Sequence, residues 1–288
     1  MQRENSMKPS ASPDRRRVLS RLLLLGVALL VAATLAAQGR GFGYGEGSRA
    51  PLREGLPERR AGFTFCRLMY TSVRSEASGL GWSTDYPGSD INFMTRLSQF
   101  TTTHISTWKD GEPGHAVVRP TDPTLFSCPF LIMSDAGTMG LTETEVERLR
   151  AYLLKGGFLW ADDFWGDRAW AHFVSQIQRV LPEYEMVEMT PEHPLFSAYY
   201  TVKRVPQIPS IQHWRRSGGE TSERGYESAQ THMRGIIDEE GRILVLTTHN
   251  TDISDGWERE GEDDEFFYLF SPESYAVGLN VAIWAMTH

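Results

Sequence analysis

A doubly wound α/β fold with a mainly parallel sheet is what this sequence predicts, on three observations. Short apolar runs such as Phe130–Met133 and Phe158–Ala161 suit strands buried on both faces. Amphipathic stretches alternate with those runs along the chain. Between the two runs, Gly156-Gly157 closes a helical stretch as a left-handed terminus would, and the second run starts at once. A parallel pair joined by one helix is the economical reading of residues 128–163, because parallel neighbours require a crossover.

The elements follow in order. Phe63, Phe65, Leu68 and Tyr70 fit a first strand, with Cys66 among them. Asp90 is an N-cap candidate for a helix in which Phe93, Leu97 and Phe100 share a face. Residues 116–119 form a second strand that Pro120 and Pro123 break. Beyond the run at 130–133, Thr142 and Glu145 make a capping box for a helix with Val146, Leu149 and Leu153 inward. Asp167 can cap the next helix, whose stripe is Trp170, Phe173, Val174, Ile177 and Leu181. Residues 185–189 alternate into a further strand, while 197–226 lose periodicity and read as a long surface excursion. Residues 234–238 and 243–248 form a hairpin about a turn at 239–242. Residues 249–265 are acidic and read as a solvated loop. Ser271-Pro272 then open a last helix as N-cap and N1, with Tyr275, Leu279, Ile283 and Met286 inward.

The amino terminus is organised differently. Arg15-Arg16-Arg17 and Arg21 precede an unbroken apolar run at 22–37, the pattern of an export signal. As a helix its 16 residues reach about 24 Å, short of a roughly 30 Å hydrocarbon core, which favours a cleaved signal over an anchor. Arg15-Arg16 also fits a twin-arginine signal, with Asp14 where Ser or Thr is usual. The domains expected are a signal or anchor at 1–37, a flexible linker at 38–61 and one α/β domain at 62–288, in a periplasmic or cell-envelope location. Membrane contact is expected only through residues 15–37. Beyond residue 21 the chain carries 23 basic and 35 acidic residues, which argues against nucleic acid as a partner. Cys66 and Cys128 are the only cysteines; export permits a disulfide, and their apolar surroundings suit buried thiols equally.

Several motifs in order resemble the bacterial family known as domain of unknown function 4159. They are Arg67-Leu68-x-Tyr70, Asp85-Tyr86-Pro87-x-x-Asp90-x-Asn92-Phe93-x-x-Arg96-Leu97 and Pro129-Phe130-Leu131. Glu145-x-x-x-Leu149-Arg150-x-Tyr152-Leu153, Gly156-Gly157-Phe158-Leu159-x-x-Asp162-Asp163, His193-Pro194-Leu195-Phe196 and Gly278-Leu279-Asn280-Val281 complete the series. The resemblance implies a three-layer flavodoxin-like scaffold of the class I glutamine amidotransferase type, without an established activity. It also implies protein partners in an envelope assembly. Where relatives often carry Gly-His-Gly after the central strand, this chain has Ser134-Asp135-Ala136-Gly137, so a histidine-dependent role at that loop does not carry over.

No Gly-x-Cys-x-Gly or Gly-x-Ser-x-Gly elbow is present to expose a nucleophile, and Cys128 enters its strand at the wrong end for a site. In an open parallel sheet, side chains just past the strand ends face the ligand. The candidate ligand-binding residues are therefore Tyr70, Asp85, Asp90, Asn92, Arg96, Asp135, Asp162, Asp163 and His193. Each also has a plainer account: Asp90 as a helix cap, Asp85 as a turn residue, His193 as a turn histidine, and Asp162-Asp163 salt-bridged to Arg67 or Arg96. The dense aromatics Trp82, Tyr86, Trp160, Trp165 and Trp170 suit either a cleft or a core. The leading expectation is a non-catalytic, exported module binding a ligand or protein, with no cofactor and no catalytic residue. The alternative is a metal-assisted hydrolase in which strand-end carboxylates and His193 act with a divalent metal.

Overall fold

The computed structural model describes residues 55–58, 62–77 and 79–288. The expected signal or anchor at 1–37 and nearly all of the linker lie outside them. The architecture is α/β, built on a seven-stranded, mainly parallel sheet. Its strands are β1 (Phe65–Leu68), β3 (His115–Val118), β4 (Phe130–Met133), β6 (Phe158–Ala161), β7 (Met186–Glu188), β8 (His232–Ile237) and β9 (Ile243–His249). Their spatial order is β3-β1-β4-β6-β9-β8-β7. Five neighbours, β3 to β9, run parallel, and β8 pairs antiparallel with β9 and with β7. The expected central pair is present, with Phe130 opposite Phe158 in parallel register. β2 (Thr71–Ser72) and β5 (Met139–Gly140) make a separate antiparallel pair.

Period-two alternation divides the apolar side chains between the two faces of the sheet. Phe65, Phe130, Ile132, Phe158 and Trp160 join one core with Phe93 and Leu97 of α1 (Gly88–Phe100). The long carboxyl-terminal helix, α6 (Asp264–Thr287), adds Phe266, Leu279 and Trp284 to it. Cys66, Leu131, Met133, Leu159 and Ala161 join the other core with Leu149 of α2 (Glu143–Leu154) and Phe173 of α3 (Gly166–Val180). Two short helices complete the set, α4 (Ile211–Ser217) and α5 (Asp255–Glu258). Among the described residues no helix is long and apolar enough to cross a membrane.

Local chemistry explains most element ends. The capping box of α2 forms as expected: Thr142 Oγ1 accepts from the Glu145 N–H, and the Glu145 carboxylate accepts from the Thr142 N–H. Other expectations change. Asp90 does not cap α1; it lies inside the first turn, and its carboxylate is drawn instead to the buried Arg67. Asp167 does not cap α3, whose first residue, Gly166, donates its N–H to Asn250 Oδ1 from another strand end. The final helix begins at Asp264 rather than Ser271, capped by Asp263, which accepts from the Glu265 and Phe266 N–H groups. Pro272 sits inside that helix, where packing of Phe266 and Phe270 into the core outweighs the missing donor.

Residues 197–226 are not structureless, since they contain α4. The acidic segment 249–265 is not solvated throughout: Thr251, Asp252, Ile253, Ser254, Asp255 and Trp257 are buried. Cys66 and Cys128 are joined in a disulfide between β1 and the entry to β4, with Cα atoms 5.9 Å apart. The bridge closes a loop of 62 residues, and the chain-entropy argument assigns such a loop about 4 kcal/mol at most. Replacing both cysteines with serine is expected to destabilise the protein by about 2–4 kcal/mol, read as a lower denaturant midpoint with an equal or steeper slope, since the unfolded chain is freed to expose more surface.

Candidate functional site

Parallel strands deliver their following loops to one edge of the sheet, and here those loops turn on unusual residues. Among the described residues four non-glycine residues take left-handed backbone conformations: Asp85 (φ 64°), Asp135 (φ 50°), Asp163 (φ 53°) and Asn250 (φ 62°). Asp135, Asp163 and Asn250 come just after β4, β6 and β9. Asp and Asn tolerate this conformation best among residues with a side chain. Asp85 stands in the loop ahead of α1, and Arg67 from β1 organises that loop. The guanidinium of Arg67 is fully buried. It donates to the Asp90 carboxylate, Ser89 Oγ, Ser134 Oγ and the carbonyls of Trp82 and Thr84.

Asp85 is thereby held against two groups of carboxylates. One oxygen each of Asp85, Asp163 and Asp252 lie within 4.8 Å of one another, as do one oxygen each of Asp85, Asp255 and Glu258. All but the half-buried Glu258 are buried. Two unit charges about 5 Å apart repel by roughly 3 kcal/mol even at an effective dielectric constant of 20. Proton affinities rise accordingly. Burial first, then Glu258, Asp163 and Asp255, push Asp85 well above the usual carboxylate range. Burial, then Asp135, Glu223 and Asp162, do the same to Asp163. Burial and the surrounding aspartates also raise Asp252 strongly. Asp255 is pushed up to about 8 by burial and Glu258, against the pull of Arg259. Asp135 rises to about 7, mainly through burial, although the Gly81 N–H donates to it.

The other predicted residues have identifiable tasks around this basin. Asp162 points into the segment after β9: it accepts from Thr248 Oγ1, the Ser254 N–H and Ser254 Oγ. Trp160 Nε1 donates in turn to Thr248 Oγ1, so a strand tryptophan, a threonine and Asp162 fix the loop that carries Asp252 and Asp255. Asp162 is thus not salt-bridged to Arg67 or Arg96. Arg67 pairs with Asp90, and Arg96 pairs with Glu260 at 3.0 Å. Tyr70 donates to the Ser134 and Asp135 carbonyls at 2.8 Å, holding the left-handed turn. Asn92 donates to the Trp257 carbonyl at 2.8 Å. His193 stands apart from the carboxylates: its ring packs on Trp284 and its Nδ1 accepts from the Leu195 N–H. Burial and the neighbouring His288 lower its proton affinity. Among the aromatics, Trp160 and Trp165 are buried, whereas Trp82 pairs with Tyr86 with ring centres 5.7 Å apart.

The structure therefore brings together Asp85, Asp135, Asp162 and Asp163 of the predicted set, and leaves Asp90, Arg96 and His193 in other contacts. Sequence reasoning missed Asp252, Asp255 and Glu258. A usable signal was present, because Asp252 follows the buried strand β9 as Asp135 and Asp163 follow theirs.

Fold and site together define an α/β protein with a buried acidic basin at the carboxyl edge of a mainly parallel sheet. A family model described as Domain of unknown function (DUF4159) matches residues 64–286, and the chain belongs to that family. Comparison with curated proteins finds no match.

The raised carboxylates set a pH dependence. A carboxylate whose folded pKa exceeds its ordinary value, 3.8 here, binds its proton more tightly in the native state. Its stabilising contribution is complete below that value and is lost as pH rises through the folded pKa. For Asp135 and Asp255 the window ends at about 7 and about 8. In chelator-treated buffer the melting temperature is expected to fall from about pH 5 to about pH 8, and Asp163→Asn is expected to flatten that fall.

Proposed function

We propose that this chain is an exported, non-catalytic binding module of a bacterial envelope assembly, and that the ligand group entering its site is positively charged. The observation that carries the reading is the charge balance of the basin. Seven carboxylates, Asp85, Asp135, Asp162, Asp163, Asp252, Asp255 and Glu258, act on one another there. Arg67 is committed to Asp90, and Arg259 serves Asp255 and Glu258. Asp85, Asp163 and Asp252 have no ion pair with Lys, Arg or His among the described residues. A cation bound there would relieve repulsion that folding alone leaves in place.

Further features support the reading. Both cysteines are joined, which suits an oxidising compartment and removes any thiol nucleophile. The arginine-led apolar run at 15–37 suits export, with residues 38–61 as the linker to an α/β domain at 62–288. Helices on both sheet faces fit the flavodoxin-like, amidotransferase-type layering that the family resemblance implies. Envelope proteins are the partners this implies, and the acidic charge disfavours nucleic acid. The second reading, a metal-assisted hydrolase, draws on the same carboxylates. Its base would have to be one of them, because His193 makes its contacts with Trp284 and Leu195 instead.

Two measurements test the proposal. Equilibrium titration of the full chain with inorganic and organic cations is expected to give saturable binding that Asp85→Asn abolishes; no saturable binding of either class would overturn it. Ester and phosphoester substrates, with and without Mn²⁺, are expected to turn over no faster than in buffer. Turnover that disappears in Asp163→Asn would select the hydrolase instead.

A further inference from the structure

The basin contains one place better suited to a metal ion than to an amine. We propose that Asp85, Asp163 and Asp252 form a site for a hard divalent cation such as Ca²⁺, an inference that rests on the cationic-ligand reading above. The two carboxylate groups that share Asp85 are not equivalent. In the group of Asp85, Asp255 and Glu258, a cation is already present: the Arg259 Nε lies 2.7 Å from Glu258 and 3.4 Å from Asp255. The group of Asp85, Asp163 and Asp252 has no salt bridge among the described residues, Arg67 and Arg259 acting on Asp85 only from beyond ion-pair distance, and it is the more deeply buried of the two.

Its oxygens are suitably placed. Asp163 commits Oδ1 to the Trp165 indole N–H at 3.1 Å, and Asp252 commits Oδ1 to the Asp255 N–H at 2.9 Å. In each, those bonds orient the carboxylate and leave its second oxygen outside them. Asp85 supplies an independent observation: it is only 8% exposed, and its Oδ2 is buried without a hydrogen-bond partner. A bare carboxylate oxygen in the interior is costly unless something binds it.

Donor type selects the class of ion. Three oxygens spread evenly about one Ca²⁺ at 2.3–2.6 Å stand about 4–4.5 Å apart, so oxygens that all lie within 4.8 Å of one another can share one such ion with little adjustment. The three-oxygen donor set, without sulfur or imidazole, does not favour Zn²⁺ or copper. The three ligands come from three separate chain segments, ahead of α1 and after β6 and β9. A bound ion would therefore tie together loops that their charges otherwise drive apart. Asp162 acts as a positioning residue, through Thr248 and Ser254.

The test is calorimetric titration of the chelator-treated full chain with CaCl₂, MgCl₂ and MnCl₂, and separately with spermidine, beside thermal melts. One Ca²⁺ per chain is expected to bind with Kd of roughly 10⁻³ M or tighter, as in other extracellular sites, and to raise the melting temperature. Asp163→Asn and Asp252→Asn are expected to weaken Ca²⁺ by at least about tenfold, the loss of roughly one 1.4 kcal/mol step. Their metal-free melting temperatures should equal or exceed that of the parent, since each removes a repelling charge, which separates lost binding from lost folding. Glu147→Gln, on the exposed face of α2, should bind as the parent does. Spermidine binding without Ca²⁺, Mg²⁺ or Mn²⁺ binding would overturn the metal site and leave the cationic-ligand reading standing. Binding of neither class would overturn both.

Discussion

Arg67 is the interaction on which the edge of this sheet depends. Its guanidinium is fully buried, and its nitrogens are engaged by Asp90, Ser89, Ser134 and two loop carbonyls. One residue of β1 therefore fixes the loop before α1, the first turn of α1 and the end of β4 together. A buried ion pair of this kind seldom adds much stability relative to apolar packing, but losing one partner costs about 3–5 kcal/mol. Its value here is positional. It holds Asp85 over the strand ends, and although it is paired with Asp90 it also draws on Asp85 and Glu258, without outweighing the burial and repulsion that raise both.

That division of labour explains how so many carboxylates remain in one place. Asp162 and Asp90 are structural: each has its oxygens filled by hydrogen-bond donors from distant parts of the chain. Asp85, Asp163 and Asp252 are less fully compensated, with an Asp85 oxygen bare and one hydrogen bond each to Asp163 and Asp252, and their proton affinities are raised strongly. The native state tolerates this because the cost is localised in four left-handed turns, while two well-filled cores on either face of the sheet support them. Strain and repulsion concentrated at the edge of an otherwise ordinary fold point to binding rather than to stability as the reason for the arrangement.

What could be read from sequence follows the range of the forces involved. The α2 capping box and the parallel pair β4–β6 were legible, because three-residue spacing and short apolar runs determine them locally. Asp85, Asp135 and Asp163 were legible as strand-end or turn residues. Asp90 was misassigned because a local cap and a distant arginine compete for the same carboxylate, and the distant charge wins. The start of α6 was misplaced because Ser-Pro is a strong local start signal, whereas core burial of Phe266 and Phe270 extends the helix back to Asp264. Asp252 and Asp255 were hidden by composition. An acid-rich segment reads as solvated, and only distant partners draw it inside: Asp162 with Ser254, 92 residues away, Ile208 with Asp252 and Ile211 with Asp255. The two cysteines were undecided in sequence, since their pairing depends on the register of β1 against β4.

The central claim is that three loops converge so that Asp85, Asp163 and Asp252 can share one ion. It is tested most directly by anomalous diffraction from crystals grown with Mn²⁺ as a scattering substitute. The account predicts a peak bonded to one oxygen of each of the three aspartates, at about 2.1–2.6 Å. Three aspartates joined only by shared protons and ordered water, with no anomalous peak between them, would contradict it.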